Sequence, residues 1–268
     1  KYYKGFPQDD NRDWQGSTLR FSLLFYRVLG ILALLSLWQT ISLLIGDFYF
    51  PSVITVTRII VDLLISMDFA NPLSITIARV TLGAALAVIF GIFIGIITCS
   101  HQLTDSFFGP LLILFMLAPS LLIVFLSIIT FGFYDYVPSL AAAIVQTPFS
   151  AIAIRSQLQN PPREKLEMAK AYTAGKGLIL KHIYIPYLMP SILSEARMAY
   201  AFSWKITILS EIFGFSSGVG YFVRIYFESF DITRVISWTF FLIVTVLCVE
   251  EVLRIIEKRM RRWHVITT

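Results

Sequence analysis

The sequence predicts an all-α, polytopic membrane protein with six transmembrane helices. Three observations carry that prediction. First, 57% of the 268 residues are hydrophobic and only 15% are charged, with a mean hydropathy of +0.75. A water-soluble domain carries about 25% charged and 45–50% apolar residues, and a soluble core of this length would need far more polar surface to cover it. Second, the apolar residues fall into six runs of the length needed to cross about 30 Å of hydrocarbon. Third, most Lys and Arg residues lie in segments that an even number of crossings places on one side. The composition excludes a disordered, collagenous or disulfide-scaffold chain and argues against a soluble enzyme. Long runs without alternation argue against a transmembrane barrel.

The first span is expected at about Leu23–Ile45 and the second at about Ile75–Thr98. Between them, residues 51–67 (PSVITVTRIIVDLLISM) open on Pro51 and place apolar residues at Val53, Val56, Ile60 and Leu63–Leu64. That helical pattern predicts an amphipathic helix on the outer surface. On the second span, Gly83, Ala87, Gly91 and Gly95 recur every four positions. Such a stripe lets helices approach closely, either within the chain or at a seam between two copies. The third span is expected at about Phe107–Phe131 with Pro110 and Pro119 inside it, and the fourth at about Tyr136–Ile154 with Pro138, Gln146 and Pro148. The fifth, about Tyr187–Phe213, is the most polar, and the sixth runs about Val235–Leu253. Before the sixth, residues 214–234 are Gly- and Ser-rich and then aromatic.

Orientation follows from charge. Residues 1–27 carry Lys1, Lys4, Arg12, Arg20 and Arg27, and the fourth connection carries Arg155, Arg163, Lys165, Lys170, Lys176 and Lys181. The tail after the sixth span carries Arg254, Lys258, Arg259, Arg261 and Arg262, bringing sixteen of the 22 basic residues to one side. Both termini are therefore expected in the cytoplasm. The net charge of +5 reflects these loops and not a nucleic-acid surface. The organisation reads as a cytoplasmic N-terminal segment (1–22), a six-helix domain (23–257) that includes a cytoplasmic loop (157–186), and a cytoplasmic tail (258–268). The first apolar run is too long for a signal-peptide core, so no cleavable leader is expected.

The cytoplasmic loop is too long for a bundle connector of about 2–8 residues. Pro161 and Pro162 break the preceding helix. Residues 163–174 (REKLEMAKAYTA) are good helix formers, with Leu166, Ala169, Tyr172 and Thr173 on one face and Glu164, Lys165 and Lys170 on the other. Gly175 and Gly177 are expected to end that helix, and a second short piece, Leu178–Tyr184, leads to Pro186. A membrane-surface helix with solvated lysines and a docking helix for another protein both fit this pattern.

Candidate functional residues stand out against the apolar background. The fifth span holds Ser191, Ser194, Glu195, Arg197, Ser203, Lys205, Thr207 and Ser210. A charge at membrane depth costs at least about 2.5 kcal/mol on insertion scales, so it faces protein or a wet cavity. Glu195 and Arg197 lie near the cytoplasmic end, where pairing or snorkelling accounts for them. Lys205 is deeper and reads either as a structural ion pair or as an anion-attracting group on a pathway. Glu211 is a poor partner for it, since six residues turn a helix by about 240°. Gln146 and Ser120 are weaker pathway candidates that could equally bond a neighbouring helix. Cys99 and Cys248 sit in apolar runs and read as buried thiols. His101, His182 and His264 are scattered without ligand spacing and read as interfacial polar residues, so no metal is expected. There is no G-x-x-x-x-G-K-[ST] phosphate loop, so the chain is expected to bind no nucleotide itself.

The stretch from Glu167 to Gly175 (EMAKAYTAG), with Ile185-Pro186 following, resembles the EAA loop of ABC importer permeases. Phe50-Pro51-Ser52 resembles the segment after that family's first span, and Ile77–Gly83 (IARVTLG) with Gly91 and Gly95 its second span. Phe131-Gly132-Phe133, Ser203-Trp204-Lys205 with Glu211, Gly218-Val-Gly-Tyr221 and Arg261-Arg262-Trp263-His264 resemble later parts. The collinear set covers roughly residues 48–264 and points to the nitrate/sulfonate/taurine/bicarbonate branch of type I importers. Met168 replaces the second Ala of the triplet, Thr173 stands where the family usually has Gly, and Met116–Ser120 replaces a more Arg- and Pro-rich segment.

The resemblance implies a type I importer permease in the bacterial inner membrane, paired with a second, usually identical, permease copy. It implies a separate ATPase pair carrying ATP and Mg, and a periplasmic or lipid-anchored binding protein. Glu167, Met168, Ala169, Lys170, Ala171, Thr173, Ala174, Gly175 and Pro186 would form the coupling surface. Ser120, Gln146, Ser203, Trp204, Lys205 and Glu211 would border the pathway of a small, anionic solute, with nitrate, sulfonates, taurine, bicarbonate and a vitamin precursor all open. A self-sufficient carrier or channel is the alternative, and it leaves the long loop unexplained. An intramembrane enzyme would need a paired Ser/His or Asp/Asp constellation that the spans lack.

Overall fold

The computed structural model describes the backbone of residues 11–265 and the side chains of residues 25–259. Lys1 and Lys4 lie outside the described residues, as do the side chains of Arg12, Arg20, Arg261, Arg262 and the Trp263-His264 ending. The described chain is helical, beginning with α1 (Asn11–Ile45) and α2 (Val53–Ser66). α1 therefore starts inside the segment read as an N-terminal extension. α2 starts just past Ser52, whose Oγ accepts from Thr55 N. Asp47 accepts from the Ser52 amide and the Thr55 hydroxyl, and the Ser52 amide above all holds its carboxyl below the usual carboxylate range. Trp38 Nε1 donates to Pro51 O (2.9 Å), fastening this corner to α1.

α3 (Ala70–Ser100) packs along α6 (Val137–Gln159), and both pack on α9 (Ile185–Gly214). The small-residue stripe of α3 makes the α3–α6 contact possible. A Cβ on Gly83 would lie 2.9 Å from Ala142 Cβ, one on Gly91 2.3 Å from Ser150 Cβ, and one on Gly95 2.9 Å from Ala151 O. The stripe is thus intrachain packing, one of the two readings its spacing allowed.

The third span departs from a single run over Phe107–Phe131. It is two helices, α4 (Gln102–Leu117) and α5 (Ser120–Phe131), meeting at 101°. Pro119 bars the α conformation to its predecessor, and Ala118 is extended (φ −64°, ψ 131°). Pro110, by contrast, is accommodated inside α4. At the far end of the chain, α10 (Val219–Glu228) is bent 47° from α9, and α11 (Ile232–Val265) continues through the segment read as a tail. Among the described residues four helices are long and apolar enough to cross a membrane, or six spans if each bent pair is counted as one.

The loop between α6 and α9 contains α7 (Arg163–Ala171), α8 (Lys176–Ile179) and a π turn (Leu180–Tyr184). Gly175 does not stop a helix but caps the start of α8, which runs through the π turn directly into α9. Pro186 has no N–H to give, and the wider turn before it absorbs the missing hydrogen bond. Cys99 is half-buried and Cys248 exposed, so neither is the enclosed thiol expected. In an apolar environment such as lipid, these outward positions need not be buried in protein.

Candidate functional site

The α6–α9 loop is closed on itself: Tyr187 Oη donates to Asn160 O, joining its two ends. Within it α7 turns Leu166 and Ala169 inward and leaves Glu167, Met168, Ala171 and Tyr172 outward. This corrects the face read from spacing. Tyr172 is 80% exposed, and the small residue Ala169 is enclosed by its own chain. Glu167 lies mid-helix, and among the described residues it makes no ion pair.

Thr173 is not in a helix. Its φ of +50° puts it in the left-handed region, where it closes α7 as a Schellman motif: Thr173 N donates to Lys170 O and Ala174 N to Ala169 O, both at 2.9 Å. Glycine suits that position, and a β-branched residue is strained there. Ala174 is half-buried, and Lys170, Gly175 and Lys176 are exposed around this elbow.

At the opposite end of the bundle lies an enclosed polar knot. Glu211 on α9 is fully buried and pairs with Arg79 on α3 (Nη1–Oε1 2.9 Å). Thr76 Oγ1 lies 3.0 Å from both carboxylate oxygens, and Gly220 N donates to Oε2 (2.9 Å). Arg79 also donates to Ser217 O, Ser217 Oγ and the Asp135 carboxylate. Gly218 (φ +95°) passes so close that a Cβ there would sit 2.2 Å from the Glu211 carboxyl. α3, α9, α10 and the turn before α6 are therefore joined at one ion pair. Sequence reasoning placed Glu211 near a pathway and left Arg79 without a partner. A lone Arg in an otherwise apolar span was the available signal.

Lower on α9, Glu195 accepts from Ser150 Oγ (2.8 Å) and Gln146 Nε2 (3.5 Å) on α6. Arg197 pairs with Glu257 on α11 (3.4 Å). Gln146, Ser203 and Trp204 are buried within the chain, as Glu211 is. Ser120 is half-buried in the first turn of α5, just past the 101° bend. Lys205 alone of the fifth-span candidates is exposed. Its Nζ lies 5.0 Å from the Phe202 ring centroid, and among the described residues it has no carboxylate partner. Among the described residues no three of His, Cys, Asp and Glu gather as a metal site.

With this geometry in hand, comparison with known proteins is decisive at the family level. The model of the family described as "binding-protein-dependent transport system inner membrane component" matches residues 87–262, well over half the chain. The chain belongs to this family. It is a permease subunit of an importer of the ABC type, and its role is transport. The aliphatic sulfonates transport permease protein SsuC of Bacillus subtilis is 23% identical over 86% of this chain and 84% of its own length. The formylaminopyrimidine transport permease protein ThiX of Halalkalibacterium halodurans is 26% identical over 76% of this chain and 81% of its own. The taurine transport system permease protein TauC of Escherichia coli is 22% identical over 88% and 89%. A chain of the MetNI methionine ABC transporter in an inward-facing conformation shares the permease fold, with a TM-score of 0.60 and 14% identity over 71% of this chain and 93% of that one. A chain of an amino acid ABC transporter gives a TM-score of 0.58 and 18% identity over 70% and 92%.

Proposed function

We propose that this permease imports a small anionic solute by alternating access, driven by ATPase subunits that grip α7. The observation that carries the coupling role is the outward face of α7: Glu167, Met168, Ala171 and Tyr172 project from a loop whose ends are joined to each other. Ala169, Lys170, Thr173, Ala174 and Gly175 shape the elbow behind that face. The α8–π–α9 run carries motion of the elbow into the bundle, because it is unbroken from Lys176 past Pro186 to Gly214. α9 acts as the lever. A push at one end tilts it against α3 and α6, while the Arg79–Glu211 knot takes α10 with its other end. ATP and Mg reside on the partner ATPase, and a periplasmic or lipid-anchored binding protein delivers the solute. Two permease copies enclose the path, both termini lie in the cytoplasm, and sixteen of 22 basic residues support that orientation.

Lys205 supports the anionic solute. It is a cation in the fifth span with open surface and no counter-charge among the described residues, which suits a wet path and not lipid. The names of SsuC and TauC, a sulfonate and a taurine permease, agree with a sulfonate-type solute. Co-purification tests the coupling role. An ATPase chain should follow the tagged permease, and Glu167→Lys should reduce the recovered ATPase at least tenfold while the permease stays folded. Solute uptake by liposomes containing this chain alone would overturn the proposal.

A further inference from the structure

Met198, Phe202, Lys205 and Leu209 follow one another at four, three and four residues along α9, which places them on one stripe. Met198, Phe202 and Lys205 are exposed on it, and Leu209 is half-buried. The neighbouring helix α6 adds Phe149, whose ring lies nearly parallel to that of Phe202 (10°, centroids 6.3 Å apart). Both rings have open surface, 37% for Phe149 and 40% for Phe202. Lys205 closes this wall, its ammonium 5.0 Å from the Phe202 centroid. It stands about 14 Å short of the helix end at Gly214, at 1.5 Å per residue.

Both carboxylates of α9 are engaged elsewhere. Glu211 is enclosed with Arg79, and Glu195 accepts from Ser150 and Gln146. What remains is an exposed cation lying over one of two flat apolar faces. An anion completes the cation, and a flat body attached to that anion lies against the rings in offset contact.

We propose that Lys205, Phe202 and Phe149 form a solute subsite for a sulfonate or carboxylate carried on a flat, unsaturated body. The proposal rests on the permease reading above and deepens it by naming the class of solute. The head group sits at Nζ and exchanges part of the ammonium–ring contact for a charge-assisted hydrogen bond. The body covers the Phe149–Phe202 wall. An aliphatic sulfonate keeps the first contact and loses most of the second.

The test uses the full chain in membranes, with Cys99→Ser and Cys248→Ser as background and one new thiol, Met198→Cys, on the stripe beside the subsite. A charged, membrane-impermeant methanethiosulfonate reads its accessibility. The expected result is reaction from the aqueous phase, slowed by benzenesulfonate at concentrations about fivefold lower than methanesulfonate requires, with no protection by benzyl alcohol. Adding Lys205→Met should raise the benzenesulfonate concentration needed at least tenfold. Leu209→Cys repeats the measurement if Met198→Cys does not accumulate. An unreactive thiol at both positions overturns the proposal, as does equal protection by the two sulfonates or protection that survives Lys205→Met. ATPase co-purification from the same membranes separates the two readings. If it persists while protection fails, the subsite alone is refuted. If it is lost in the background chain, the permease reading fails with it.

Discussion

At the residue scale, the Arg79–Glu211 pair sets the most stringent test. Replacing a buried ion pair with apolar groups of similar volume is often neutral, but removing one partner strands the other charge at a cost of about 3–5 kcal/mol. Arg79→Met should therefore lower the unfolding temperature of the detergent-solubilised chain sharply. Arg79→Met with Glu211→Leu together should recover much of the loss, which a thermal melt in detergent reads directly. Thr173 predicts the opposite sign. Its left-handed backbone (φ +50°) costs an L side chain roughly 1–2 kcal/mol, so Thr173→Gly should slow amide exchange in α7 by about fivefold or more. That gain in local order has a functional price only if strain at the elbow is used in transport, which uptake by the same variant reads. Neither residue's role was legible in sequence. Thr173 stood out only as a departure from the family's usual Gly, and Arg79 and Glu211 are 132 residues apart, joined by packing alone.

At the element scale, the spans were legible because hydropathy and length carry them, while their breaks depended on local chemistry that is harder to weigh. Pro110 and Pro119 were both visible inside one expected run, yet only Pro119 divides it, with Ala118 extended at the junction. Pro186 likewise leaves a helical run intact, because a π turn precedes it. The stripe on α3 gives the clearest element-scale prediction. Gly91 approaches α6 so closely that an added Cβ would lie 2.3 Å from Ser150 Cβ. Gly91→Leu should force α3 and α6 apart, at a cost above the 1–3 kcal/mol usual for overpacking, and reduce the folded yield in the membrane. Leu82→Ala, at an exposed position on the same helix, should leave that yield near wild type. Fluorescence size-exclusion chromatography of the tagged variants compares the two.

At the scale of the whole molecule, orientation is the property most open to direct test. Alkaline phosphatase is active only when exported, so fusions after Asp68 and after Phe230 should be active. Fusions after Ala174 and after Lys258 should be inactive. The reverse pattern would turn the basic loops outward and overturn the coupling role proposed for α7. The amino-acid sequence by itself determined the class of this protein: apolar runs need a membrane, and a long Gly- and Pro-bounded loop stands out between two of them. These are additive, local properties that survive without knowledge of what each helix touches. Only the tertiary structure decided which polar residues are structural and which are open. Ser203, Trp204, Gln146 and Glu211 turn into the chain, whereas Lys205 turns out of it. Ala169 folds under its own loop and Tyr172 away from it. The reason is physical. In an apolar solvent both faces of a helix are apolar, so periodicity no longer tells inside from outside, and burial is set by which neighbour's small residues and ion-pair partners a face happens to meet.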